Sequence, residues 1–218
     1  MNVYIVVEGE GETKIYPEWI RHVDSGLTRV DRPDAASQNN YYLIGGQGYP
    51  NYFDVIRNAI ADVAVHLQYD RLVVAVDSEN DSRAAKLAEI SQLIRHAGCR
   101  VPHRIIVQHF CLETWGLGNK QAFQRNPSSE ELKKLVAFYD VSARDPELLT
   151  VPPDEQLNRA QVAYKYLRLL LREKNPRLIY SKRNPRELGE AHYFARLRER
   201  LQGDGHIQSF ADFLTAFV

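Results

Sequence analysis

The chain has 218 residues, 44% of them apolar and 26% charged, with 28 Lys/Arg against 28 Asp/Glu. That length and apolar content suit one α/β domain with a modest appendage. Two cysteines, Cys99 and Cys111, exclude a disulfide-framed scaffold and fit a reducing cytoplasm. No run approaches the ~18–20 apolar residues of a membrane span, and Met1-Asn2 leads straight into a strand pattern without a signal peptide. The expectation is a cytoplasmic protein with no membrane partner.

The first apolar run, Val3-Tyr4-Ile5-Val6-Val7, predicts a strand over 2–8 and stops at Glu8-Gly9-Glu10-Gly11-Glu12. Continuous apolar runs of this length read as strands covered on both faces. A helix is expected from Thr13 to Val23, with Pro17 early enough to be tolerated. Asp24–Asn40 reads as loop. Tyr41–Ile44 is a second strand, ended by Gly45-Gly46-Gln47-Gly48, and Pro50 opens a helix with Phe53, Ile56, Ile60, Val63 and Leu67 at helical spacing. Leu72–Val76 is a third strand and stops at Asp77-Ser78-Glu79-Asn80-Asp81. Residues 82–97 form a helix with Ala84, Leu87, Ile90, Leu93 and Ile94 on its apolar side, closed by Gly98. His103–Phe110 is a fourth strand. This βαβαβαβ alternation predicts an α/β fold: a mainly parallel four-stranded sheet with right-handed crossovers and flanking helices. Past Gly118 the pattern turns helical, at 129–139, 158–174, 186–201 and Ser209–Phe217, with a Pro-bearing loop over 140–155. The expected division is an α/β core at 1–125 and a helical appendage at 126–218.

Charge is spread unevenly. Residues 1–155 hold 16 Lys/Arg and 22 Asp/Glu, whereas residues 156–200 hold 12 Lys/Arg and 4 Asp/Glu. An acidic part joined to a basic segment suits a metal site beside a surface that grips a polyanion; a solvated amphipathic helix is the plainer explanation.

In open α/β sheets the ligand site lies beyond the carboxyl ends of the strands. Carboxylates gathered there repel one another unless a cation sits between them, and Mg²⁺ or Mn²⁺ is the usual solution. Glu8 stands at the end of the first strand, directly before a glycine, where an acid has no capping role. Glu12 falls in the first helical turn, where the helix dipole alone would favour it. Asp77, Glu79 and Asp81 alternate, so an extended chain points all three the same way. Asp81 and Ser82 are also N-cap candidates. Glu113 adds an acid after the fourth strand, beside Trp115. Among the cations, Lys182 in Tyr180-Ser181-Lys182-Arg183 suits neutralisation of charge on a phosphate. His96, Cys99, His103, His109 and Cys111 lie close in sequence but match no paired zinc-ligand spacing. Gly9-x-Gly11 lacks the spacing of a nucleotide-binding loop.

Val7-Glu8-Gly9 with Glu12, followed by Asp77-x-Glu79 after a later strand, resembles the Toprim domain shared by topoisomerases, primases and the overcoming-lysogenisation-defect nucleases. With Leu112-Glu113-Thr114-Trp115, Lys182 and Phe210-x-x-Phe213-Leu214, the chain looks similar to a Toprim-like family of bacterial defence and mobile-element loci. Two positions depart from the pattern: Glu79 stands where the second Asp is usual, and Gly11 where a Thr precedes the second Glu.

The resemblance implies a Mg²⁺- or Mn²⁺-dependent nuclease. Asp77 and Glu79 would hold one metal, Glu8 would bridge or act as base, and Glu113 or Glu12 would complete a second site. It also implies nucleic acid as substrate and an ATPase as partner protein, and leaves oligomeric assembly open. The competing expectations are a non-catalytic Toprim-like binding module and a small-molecule phosphohydrolase.

Overall fold

Every residue of Val3–Val7 is buried, which is why the run is apolar without alternation: a strand covered on both faces has no solvent side. In the computed structural model, which describes residues 1–217, it forms β1 of a five-stranded, all-parallel, Rossmann-like sheet. The other strands are β2 (Thr28–Val30), β3 (Asn40–Gly45), β4 (Arg71–Asp77) and β5 (His103–Gln108), in the spatial order β2-β3-β1-β4-β5. The helices are α1 (Glu10–Val23), α2 (Tyr52–Val65), α3 (Arg83–His96), α4 (Leu112–Gly116), α5 (Glu130–Phe138), α6 (Arg159–Lys174), α7 (Arg186–Gly189), α8 (Ala191–Asp204) and α9 (Phe210–Ala216).

The expected α/β fold is present with one strand more than the four expected. The addition, β2, lies inside the stretch read as loop. It is a three-residue edge strand with two exposed positions, so it carries no apolar run to betray it. The chain lays β3 on one side of β1 and then crosses to lay β4 on the other. That reversal is the topological switch point of the sheet, the place where open α/β sheets present their ligand crevice. β1 runs in register with β4, Val3 opposite Arg71 and Val7 opposite Ala75.

One compact unit comprises residues 1–76, 82–107 and the chain from Asp212; the other comprises 77–81 and 108–211. The bounds of these units fall at the tips of β4 and β5. In the sheet unit, Tyr4, Val6, Leu72, Val74 and Val76 pack with Ile56, Ile60 and Val63 of α2 and Ile90 and Ile94 of α3. By strand alternation Val3, Ile5, Val7, Val73 and Ala75 serve the opposite face. Phe213 meets Tyr16 and Trp19 of α1 edge to face, with ring centroids 5.0 and 5.5 Å apart. Two positions expected on the apolar side of α3 are exposed, Ala84 and Leu87, as is Leu67 beyond α2. The buried row of α3 is instead Lys86, Ile90 and Ile94, which follow one another at a spacing of four.

The helical unit is organised on α6, which buries Val162, Ala163, Tyr166, Leu167, Leu170 and Leu171. Asn158 and Gln161 form a reciprocal capping box at its start, at 2.8 and 2.9 Å, a device that fixes where the helix begins. The helix expected over 186–201 is broken at Glu190 into α7 and α8. The second part ends at Gly205, whose φ of +69° is the left-handed cap that glycine adopts without penalty. Among the described residues no helix is long and apolar enough to cross a membrane.

Candidate functional site

The sheet unit carries two buried carboxylates just past β1, Glu8 at 8% and Glu12 at 6% exposure. Gly9 separates them in extended conformation. A Cβ placed on Gly9 would lie 3.0 Å from Glu12 Oε2, so the Glu12 carboxylate folds back over the turn that the glycine leaves open. Its place in the first turn of α1 puts it at the positive end of the helix dipole. The loop after β3 is tied to the same strand end: Gly46 N–H donates to Val7 C=O at 2.6 Å, and Gly48 N–H to Glu8 C=O at 2.9 Å. A Cβ on Gly46 would come within 2.6 Å of Tyr52 Cβ, so this approach requires glycine.

Lys86 is the residue that sequence reasoning missed. It is 7% exposed, donates to Glu89 Oε2 at 2.7 Å and stands 3.5 Å from the Tyr52 hydroxyl. Burial works to lower its pKa, but Glu89 and Tyr52 together hold it above the usual lysine value. The Tyr52 hydroxyl is pushed up to about 12, chiefly by burial. Lys86 opposes that rise and Glu8 adds to it. The phenol thus senses both the Glu8 carboxylate and the Lys86 ammonium. A legible signal existed: Lys86 falls on the spacing-of-four row with Ile90 and Ile94, where a lysine is out of place unless partnered.

In the helical unit Asp77 is 7% exposed, and its Oδ1 accepts from Gln108 Nε2 at 2.9 Å. Backbone pairing continues past the strand, with Ser78 N–H donating to Gln108 C=O at 3.0 Å and Glu79 N–H to Phe110 C=O at 2.9 Å. The chain then turns. Glu79 has φ +48°, and Asp81 N–H donates to Ser78 C=O at 2.8 Å. The extended chain expected to align Asp77, Glu79 and Asp81 therefore ends at Asp77, and Glu79 and Asp81 are exposed on the turn. A non-glycine residue in the left-handed region costs local energy and often marks a functional place. Ser82, not Asp81, caps α3, accepting from Ala85 N–H at 3.1 Å.

Glu113, 2% exposed, sits in the first turn of α4. Its Oε1 accepts from the Tyr180 hydroxyl at 3.0 Å, while Oε2 is buried with no hydrogen-bond partner among the described residues. Burial, then Glu113, drives the Tyr180 hydroxyl well above its ordinary pKa. Burial also drives the Cys111 thiol far up, and Glu113 and Asp77 add to the effect. Cys111 thus lies in the field of both carboxylates and stays a thiol, inert as a nucleophile. Ser78 Oγ and His109 Nδ1 are 2.7 Å apart. Trp115 is core, donating from Nε1 to Ser209 Oγ at 2.6 Å. Lys182 is exposed at the tip of a tight reversal in which Ser181 and Asn184 pair.

The donor chemistry at the strand ends, carboxylates with a side-chain amide alongside, is the hard-oxygen kind that Mg²⁺ and Mn²⁺ prefer. The buried, unpartnered Glu113 oxygen is the sort of acceptor that an ion, a water or a proton completes. Among the described residues no group of three or more His, Cys, Asp or Glu side chains is arranged to hold a metal ion. Comparison with protein-family models, with curated proteins and with solved structures finds no match.

Proposed function

We propose that the protein is a divalent-metal-dependent phosphodiesterase of Toprim type, a nuclease acting in the cytoplasm with a role in phage defence. The observation that carries this reading is that β1 and β4, neighbouring parallel strands flanking the switch point, each deliver a buried carboxylate at the carboxyl end, Glu8 and Asp77. In this assignment Asp77 and Glu79 would hold Mg²⁺ or Mn²⁺, Glu8 would bridge or act as base toward the attacking water, and Glu12 or Glu113 would complete a second site. Asp81 supplies an outer carboxylate on the turn. When bound, such ions activate water and stabilise the in-line displacement at phosphorus. Gln108 keeps the Asp77 carboxylate oriented, and Lys182 neutralises charge building on the phosphate. Nucleic acid is the substrate, and the Toprim-like resemblance extends the proposal to an ATPase partner.

The test is cleavage of plasmid DNA and of RNA with Mg²⁺ or Mn²⁺ by the native chain and by Asp77→Ala. Losing a metal ligand forfeits several kcal/mol of transition-state stabilisation, so activity should fall by about a thousandfold or more while circular dichroism is unchanged. Undiminished cleavage by the folded variant would refute the assignment.

A second reading draws on Glu79, which replaces an Asp and faces solvent from a left-handed turn, so that β4 supplies a single buried acid. It makes the domain a non-catalytic binding module. Thermal stabilisation by Mg²⁺ or Mn²⁺ without turnover of any nucleic acid would favour it. Turnover confined to a panel of small phosphate esters would point to a phosphohydrolase.

A further inference from the structure

Between β3 and α2, the chain Gly46-Gln47-Gly48-Tyr49-Pro50-Asn51 passes over the carboxyl end of β1. The crossing is tied down on both sides. Gly46 N–H donates to Val7 C=O and Gly48 N–H to Glu8 C=O, while Tyr52 N–H donates back to Gly48 C=O at 3.0 Å. Gln47 has φ +62° and Gly48 φ +75°, both in the left-handed region. A residue with a side chain held there costs local energy, and such positions gather at ligand clamps.

Tyr49 stands on this turn, 69% exposed, and is the only exposed Phe, Tyr or Trp among the described residues. Its ring does not hang free. The centroid lies 6.1 Å from that of Tyr52 and 5.8 Å from that of Phe53, at interplanar angles of 58° and 73°. Tyr52 is itself 2% exposed, so Tyr49 rests on the core. Neither contact is a parallel stack. Two exposed amides, Gln47 and Asn51, flank it in sequence, with Asn51 Nδ2 reaching Gln47 C=O at 3.4 Å. No broad apolar surface continues from it along α2: Val65, the next large exposed apolar side chain there, is about 20 Å away at the far end of the helix.

We propose that Tyr49 is a stacking platform for an unpaired nucleobase, which makes the substrate at the Glu8 edge a single-stranded nucleic acid. The inference rests on the nuclease reading and narrows its substrate class. Every base has a flat π face, so one fixed ring accepts any of them. The amides of Gln47 and Asn51 supply donors and acceptors for a base edge. A base within a duplex is already stacked above and below, so the platform favours an unpaired strand. A protein partner needs a contiguous apolar area that a lone ring between amides does not offer. Because the turn is already tied to β1, little ordering entropy opposes binding.

The experiment is fluorescence anisotropy of the full chain with labelled single-stranded DNA, RNA and duplex DNA. Ca²⁺ replaces Mg²⁺ as the hard cation, and a gel checks that the strands stay intact. Tyr49→Ala should weaken single-strand binding by about 5- to 150-fold, the range that loss of one base–aromatic stack produces. Tyr49→Trp should keep it, and Tyr49→Leu, apolar without a π face, should not. Leu67→Ala, at an 85% exposed position of the same unit, is the control and should change nothing. A strand carrying 2-aminopurine should be quenched on binding the native chain and not on binding Tyr49→Ala. Full affinity in Tyr49→Ala or Tyr49→Leu overturns the platform and leaves the nuclease reading standing. Duplex binding that falls as far as single-strand binding overturns the assignment to unpaired bases. Failure of the native chain to bind any strand overturns both this inference and the nuclease reading.

Discussion

Lys86 in the sheet unit meets Glu89 at 2.7 Å and approaches the Tyr52 hydroxyl at 3.5 Å, whereas Glu113 in the helical unit accepts from the Tyr180 hydroxyl through one oxygen and has no hydrogen-bond partner for the other among the described residues. Both side chains are at least nine-tenths buried. Arg200, a buried cation of the helical unit, behaves like Lys86: its guanidinium donates to the carbonyls of Val141, Ser142 and Arg144 at 2.7–2.9 Å. Its Nε lies 3.3 Å from Asp204 Oδ2, an ion-pair contact although the angle is not that of a hydrogen bond. The difference teaches which buried charges are structural. A long cationic stem that finds several acceptors is stabilised where it stands. An acid held dry with half its accepting capacity unused is a net cost, and such groups persist at sites rather than in scaffolds.

The sharpest way to break that comparison is Arg200→Ala. It strands the buried Val141 carbonyl and the part-buried carbonyls of Ser142 and Arg144 and empties a guanidinium-sized space, a loss of about 3 kcal/mol. For a chain of this size that corresponds to about 6–12 °C in melting midpoint. Arg200→Lys should recover only part, because an ammonium cannot span the three carbonyls. A drop under about 1 kcal/mol in urea unfolding would show that Arg200 is not a structural charge.

Glu113 and Tyr180 should respond with opposite signs. Tyr180→Phe leaves both Glu113 oxygens dry and should cost about 1–3 kcal/mol. Glu113→Gln keeps a carbonyl for the Tyr180 hydroxyl and removes the buried charge, so stability should hold or rise. A Glu113→Gln variant that unfolds more easily than Tyr180→Phe would mean that the carboxylate is a scaffold element, and would end its candidacy as a site residue.

The sheet was legible because doubly covered strands cannot hide: Val3–Val7 and Leu72–Val76 are apolar at every step. β2 was not, since an exposed three-residue edge strand has no hydrophobic signature. The helix over 186–201 read as continuous because its periodicity survives the break at Glu190. The buried acids Glu8, Glu12, Asp77 and Glu113 were all legible as acids at strand ends or first turns. What the residue pattern did not foretell was the left-handed turn at Glu79, which sends Glu79 and Asp81 outward; nothing in Ser78-Glu79-Asn80 demands it. Lys86 was legible in part, as a lysine on the row of Ile90 and Ile94 with Glu89 one turn on, but its approach to Tyr52 becomes visible only once α2 and α3 share a face.

The smallest expected effect sharpens the other side of the comparison. Tyr52 has its hydroxyl pushed up to about 12, with burial raising it, Lys86 holding it down and Glu8 adding to the rise. A folded-state pKa above the unfolded value near 10 means that the contribution is intact below pH 10 and is lost as pH climbs through about 12. Tyr52→Phe should therefore flatten part of the alkaline fall in stability over pH 10–12, measured by urea midpoints at each pH. Lys86→Met, which removes the opposing ammonium while filling its space, should move the phenol titration to still higher pH in ultraviolet difference spectra. A phenol that titrates at the same pH or lower in Lys86→Met would mean that Lys86 does not act on Tyr52, and the electrostatic grouping beside Glu8 would have to be abandoned.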